Sequence, residues 1–228
     1  MAFFSMTTFN STSDRINDRI AKGYQVRSSL YLKMAMDLVK QNLGMYVTFT
    51  LIYIAFMVLV WRLGETGSFL NIIFSGPISA GYYSVIHRTV SGRSLTFENF
   101  FDGFKIFLPV MTISMTSGLL TSLGALLYIV PGLVIAIFLI FTMPLTIYTK
   151  ADVFSAIKIS QKIVAKQFWE ISKLALYIAL INIAAIFTFG IGLLFTLPMS
   201  FAVIYFAYDD IIGINDDVEE KPNFSHFR

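Results

Sequence analysis

The sequence has no cysteine, only two histidines (His87 and His226) and little charge: Asp, Glu, Lys and Arg together make up 14% of its 228 residues. Without cysteine, disulfides, thiolate nucleophiles, zinc–sulfur sites and cysteine-ligated iron–sulfur clusters are excluded. Two histidines are too few for a histidine-based metal site unless carboxylates stand beside them. No metal or other cofactor is therefore expected. A soluble domain carries about 25% charged residues, so the shortage of charge rules out an ordinary water-soluble enzyme and a disordered regulator. What is present instead is apolar: 56% of the residues are hydrophobic and the mean hydropathy is +0.71. The net charge of +3 does not mark a nucleic-acid partner, because the basic residues are spread between apolar segments. That distribution is typical of membrane loops.

The N-terminus opens with about four apolar residues and then turns polar. A signal peptide needs a charged n-region followed by 7–15 apolar residues, so no cleaved targeting segment is expected. A span of the hydrocarbon core needs roughly 20 apolar residues. Six candidates are present, at roughly 44–61, 69–87, 106–123, 126–148, 171–187 and 190–208. The second is diluted by Asn71, Ser75, Gly76, Pro77 and Ser79, and reads either as a span or as a re-entrant, broken helix. All seventeen lysines and arginines except Arg62 fall on one side of this arrangement. The positive-inside rule then places both termini in the cytoplasm of a multi-pass inner-membrane protein. Residues 1–28 read as a polar cytoplasmic segment, 29–210 as one membrane domain and 211–228 as an acidic cytoplasmic tail. The outer loops are short, with 62–68 the longest.

The inner loops carry amphipathic helical patterns. One runs over 29–43, a Phe-rich one over 96–108, and a third over 152–169 with a basic stripe of Lys158, Lys162 and Lys166. Such helices lie in the interface, apolar face toward the bilayer and lysines toward the headgroups. Amphipathic helix, span, hairpin and a span with glycine or proline recur three times at a period of roughly 60 residues. The expected fold is therefore all-α: a polytopic bundle of about six membrane helices with three interfacial helices in a threefold helix–hairpin layout.

Helix breaks are expected at Gly76 and Pro77, at Pro131 and Gly132 with Pro144, and at Gly190 and Gly192 with Pro198. They either set kinks and packing or line a binding site of transporter type. Ser114, Gly118 and Ser122 have the small-every-four spacing of a packing seam. No lysine, arginine, aspartate or glutamate lies near the centre of a span, which argues against proton coupling. Tyr208-Asp209-Asp210 lacks the second, Gly-x-Gly-Asp aspartate of an intramembrane aspartyl protease, and adjacent aspartates at a helix end are expected to be solvated. Gly-x-Ser-x-Gly and His-Glu-x-x-His motifs are absent. No catalytic residue is assigned. Lys158, Lys162, Lys166 and Arg88 are the candidate lipid-headgroup contacts.

One ordered set of motifs remains. Gly76-Pro-Ile-Ser-Ala-Gly-Tyr-Tyr83 is followed by Arg88, Ser94-Leu-Thr-Phe-Glu-Asn-Phe-Phe-Asp-Gly-Phe104 and Pro109. Then come Tyr128-Ile-Val-Pro-Gly-Leu133, Ala156-Ile-Lys-Ile-Ser160, Phe168-Trp169, Gly190-Ile-Gly192, Pro198 and Tyr208-Asp209. In this order they resemble bacterial polytopic membrane proteins of the YciC-like type. They are also similar to the membrane domain fused to some glycerophosphodiester phosphodiesterases. The resemblance implies a six-helix cytoplasmic-membrane domain; the phosphodiesterase chemistry belongs to a soluble part that this chain lacks. The expectation is a non-enzymatic scaffold or accessory subunit touching the phospholipid bilayer and other membrane proteins or a second copy of itself. The alternative is a small transporter or channel built on helices two, four and six.

Overall fold

The computed structural model describes residue 14 and residues 16–214. The acidic tail around 216–220, His226 and the first thirteen residues lie outside the described part. The described chain is helical. A short helix α1 (16–22) leads into α2 (Ser28–Gln41), α3 (Leu43–Arg62) and α4 (Glu65–Val90). A 3-10 helix (Phe97–Ile106) then joins directly to α5 (Phe107–Leu127). It is followed by α6 (Ile129–Phe138), α7 (Thr142–Thr149), α8 (Val153–Lys166), α9 (Phe168–Ile186) and α10 (Leu193–Ile211). Six stretches are long and apolar enough to cross a membrane, with α6 and α7 together forming the fourth. The chain is an integral membrane protein of the expected all-α class.

The spans form two concentric sets. Over the 18-residue apolar stretch of each span, 22%, 11% and 17% of the residues are buried in the first helix of each hairpin (α3, α5 and α9), and 44%, 39% and 50% in the second (α4, α6–α7 and α10). The second helices are thus the inner ring, and the first helices lie outside them. Leu119 on α5, Leu59 on α3 and Ile183 on α9 turn outward, as side chains facing acyl tails must. Lipid is as apolar as leucine, so helices associate in it through close packing and hydrogen bonds rather than the hydrophobic effect. Each hydrogen-bonded seam joins two particular helices: Thr50 to Tyr82 at 2.8 Å (α3–α4), Ser75 to Ser114 at 3.1 Å (α4–α5), Ser117 to Thr142 at 3.3 Å (α5–α7) and Asn182 to Ser200 at 2.7 Å (α9–α10).

The three hairpins close in the same way. A Cβ on Gly67 would sit 1.7 Å from the Val60 carbonyl oxygen, one on Gly132 2.9 Å from the Ala125 backbone, and one on Gly192 2.8 Å from the Ala185 backbone. In every case the glycine follows the residue it touches by seven positions. The turns are correspondingly short, and the longest is 187–192 rather than 62–68, because α4 already begins at Glu65.

The three amphipathic helices dock in rotation. The 3-10 helix of the second unit packs on α4 of the first, α8 of the third on α7 of the second, and α2 of the first on α10 of the third. The ring is closed by that last contact. Their apolar faces, expected to lie toward the bilayer, turn largely into the protein, although Phe101 stays exposed. Tyr31, Ala35 and Leu38 of α2, Phe100 of the 3-10 helix, and Ala156, Ile163 and Val164 of α8 are all buried within the protein core. The packed unit also extends past the 29–210 limits, since Ile16, Ile212 and Ile214 belong to the same core.

Several expected breaks are absent. Gly76 and Pro77 lie inside α4, an uninterrupted 26-residue helix about 39 Å long, so 69–87 belongs to a helix long and apolar enough to cross the membrane in full. Pro198 likewise lies inside continuous α10. Pro131 and Pro144 stand in the first turns of α6 and α7, where the amide that proline lacks has no intrahelical acceptor anyway. Gly190 and Gly192 belong to the α9–α10 turn, Gly190 with φ +81°. The interruption inside a span falls at 139–141, just before Pro144. The proposed Ser114–Gly118–Ser122 seam is reduced to Ser114; Gly118 and Ser122 face outward.

Candidate functional site at the basic end of the bundle

The inner ring is filled by aromatic rings at the end where the lysines and arginines gather. α4 contributes Tyr82, Tyr83 and His87, α7 contributes Tyr148, and α10 contributes Tyr205 and Tyr208. Tyr148 lies between His87 (ring centroids 5.5 Å apart) and Tyr205 (5.9 Å). The Tyr205 hydroxyl and His87 Nδ1 share a hydrogen bond at 3.0 Å, and the Tyr148 hydroxyl donates to the Tyr83 carbonyl at 3.0 Å. One ring from each unit thus meets at this end of the inner ring. His87, half-buried, takes part in this packing.

Asp102 of the 3-10 helix collects the polar groups beside the plug. Its carboxylate accepts hydrogen bonds from Ser84 at 3.1 Å, Asn99 at 3.3 Å and Lys105 at 2.6 Å, and the Arg88 Nε lies 3.4 Å away. Arg88 therefore faces a carboxylate of its own chain, with a third of its side chain exposed. Backbone approach makes this possible: a Cβ on Gly81 would meet the Phe100 carbonyl oxygen at 1.8 Å, and one on Gly103 the Pro77 carbonyl oxygen at 2.0 Å.

α8 starts at Asp152, whose Oδ2 accepts from the Phe154 and Ser155 amides at 3.1 and 3.3 Å. The Ser155 hydroxyl and these two amides hold the Asp152 carboxyl below the usual carboxylate range, because hydrogen bonds to the anion favour it. Lys158, Lys162 and Lys166 share the exposed face of α8, flanked by exposed Phe154 and Trp169. Lys158 Nζ sits 4.5 Å above the Phe154 ring, a cation–π contact. On the opposite face Ser160 is fully buried. Its hydroxyl donates to the Phe138 carbonyl at 2.7 Å and accepts from the Phe141 amide at 3.3 Å. Those are the backbone groups freed by the interruption at 139–141.

The N-terminal segment straps α8 and α10 together. The Tyr24 hydroxyl donates to the Ile163 carbonyl, and Gln167 Nε2 donates to the Tyr24 carbonyl at 2.6 Å. Burial pushes the Tyr24 phenol up to about 12. Arg27 pairs with Asp210, which also accepts from Tyr31, and this carboxylate raises the Arg27 guanidinium above its ordinary value. Asp209 is buried rather than solvated, and its Oδ1 accepts the Ile214 amide at 2.8 Å. Both aspartates thus have partners within the chain: Asp210 holds Arg27 and Tyr31, and Asp209 holds the Ile214 amide.

Of the four predicted headgroup contacts, three share one exposed surface and the fourth, Arg88, belongs to the Asp102 cluster. Ser160, Asp102 and the strap through Tyr24 and Gln167 went unassigned from sequence. For Ser160 the one sequence signal was a serine on the apolar face of an amphipathic helix. Among the described residues no three His, Asp or Glu side chains gather as a metal site would require. The arrangement places exposed cationic and aromatic side chains of α8 and Trp169 at one end of the bundle, beside the packed tyrosine cluster. No family model matches the chain, and neither does a curated protein or a solved structure.

Proposed function

We propose that the chain is a non-enzymatic membrane scaffold or accessory subunit. It sits in a bacterial cytoplasmic membrane with both termini inside, in line with the YciC-like type that its motif order resembles. It holds lipid headgroups and membrane-protein partners at its basic end. The observation that carries this reading is the exposed α8 face, on which Phe154, Lys158, Lys162, Lys166 and Trp169 stand together. Each lysine near an anionic surface contributes about 1 kcal/mol. Transport through the inner ring is placed second. Gly76, Pro77 and Pro198 lie within continuous helices, and Asn182, a polar side chain inside α9, is bonded to Ser200 of α10.

Extraction into native nanodiscs tests the scaffold reading: a stoichiometric complex is expected, and a lone monomer overturns it. Replacing Lys158, Lys162 and Lys166 together by glutamate is expected to lower co-purifying anionic lipid several-fold; unchanged lipid overturns the headgroup assignment.

A further inference from the structure

A groove of about 540 Å³ opens between the start of α5 and the α7–α8 connection. That volume is in the range of small-molecule sites, about 300–1,000 Å³. Its walls are apolar: Ile106, Leu108, Pro109, Ile147 and Val153 line it, with Thr112 on the α5 side. Thr112 spends its hydroxyl on the carbonyls of Leu108 and Pro109, at 2.9 Å each, so it too presents little polarity. Leu108 is 64% exposed and Ile106 38%. The groove sits where a span emerges beside the basic face, so it is within reach of the acyl tails on one side and the headgroup layer on the other.

Two exposed charges of opposite sign, Lys150 and Asp152, also line it. Lys150 is unusual in its backbone: φ is +53°, in the left-handed region. A side chain with a Cβ costs roughly 1–2 kcal/mol there, and glycine is the common residue at such a helix end. A lysine stands at this position although the backbone favours glycine. Residues held in such conformations cluster at ligand-binding sites, where other interactions offset the strain.

We propose that this groove binds one phospholipid that carries a primary amine. One acyl chain lies along the Ile106–Pro109 wall, the phosphate meets the Lys150 ammonium, and the headgroup amine meets the Asp152 carboxylate. The pair of charges matches a zwitterionic aminophospholipid; phosphatidylglycerol, with one phosphate charge and a neutral glycerol headgroup, offers no cation to Asp152. The site is separate from the α8 lysine face and does not depend on the scaffold reading.

Native mass spectrometry of the full chain, released from nanodiscs of equal phosphatidylethanolamine and phosphatidylglycerol, tests it. One phosphatidylethanolamine retained per chain is expected, at least several-fold over phosphatidylglycerol. Lys150→Gly suits the left-handed backbone, so it keeps the fold and is expected to cut retention about tenfold. Asp152→Asn keeps a good helix cap and is expected to abolish the preference between the two lipids. Thr112→Trp fills the groove and is expected to displace the lipid altogether. The Lys158, Lys162 and Lys166 triple glutamate variant is expected to retain the lipid, which separates this site from the α8 surface. Undiminished retention in Lys150→Gly and Thr112→Trp overturns the proposal, and a wild-type preference for phosphatidylglycerol overturns the assignment of the headgroup.

Discussion

Ser160 is the residue on which the fourth span depends most. An interrupted helix inside a bilayer leaves amides and carbonyls that no water can satisfy, and each such group costs several kcal/mol. One hydroxyl serves two of them here, Phe138 O and Phe141 N. Ser160→Ala leaves both unmet and is expected to destabilise the fold by about 1–3 kcal/mol, read as a fall in thermal midpoint in detergent micelles. Ser160→Thr keeps the hydroxyl and is expected to restore most of the loss; if alanine melts like wild type, the assignment is wrong. Asp152 gives a second prediction. Its folded pKa lies below the ordinary value, so its contribution to stability is complete above the unfolded value near 4 and declines as pH falls through the folded one. Asp152→Ala removes about 1 kcal/mol at neutral pH and is expected to flatten that part of the acid limb. An acid limb of unchanged slope would show that the carboxylate is not coupled to folding.

Hairpins are the element that this chain repeats most faithfully. Gly67, Gly132 and Gly192 each follow the residue they touch by seven positions, and each lies where a second helix starts back along the first. A methyl group at Gly67 meets a backbone carbonyl 1.7 Å away, which no rotamer change relieves. Gly67→Ala is therefore expected to splay the α3–α4 hairpin at a cost of about 1–3 kcal/mol, whereas Gly118→Ala, in open space on α5, is expected to be neutral or slightly stabilising. Equal thermal midpoints for the two variants would refute the packing argument.

The same residues show how far sequence reasoning reached. Glycines and prolines marked the correct neighbourhoods, since every hairpin and the interruption at 139–141 lie near one. Their role was not legible, because a proline that interrupts a helix and one that starts a helix look alike in sequence. Distinguishing them requires knowing where the preceding turn ends. Amphipathic periodicity located α2, the Phe-rich segment and α8 for the same reason that it located their buried faces. It could not tell that those faces meet other helices instead of lipid, since both surroundings are apolar. The Arg88–Asp102 pairing was likewise hidden, because it depends on the approach of Gly81 to the Phe100 backbone.

At the scale of the whole molecule, the rotation of the amphipathic helices makes the fold a closed ring. Each unit covers the inner helix of the one before it, so the first unit's α2 packs mainly on α10, far along the chain. That contact buries Tyr31, Ala35 and Leu38 and is fastened by Arg27 and Tyr31 on Asp210. Contacts distant in sequence form late, because the intervening loop must be closed first. The ring is thus expected to shut last, when α10 is inserted. A chain ending at residue 186 lacks α10 and is expected to leave the amides of α2 exchanging freely with deuterated solvent, while those of α4 against the 3-10 helix stay protected. The full chain protects both. If α2 stays protected without α10, the ring does not close through this contact, and the threefold relation would be one of layout alone.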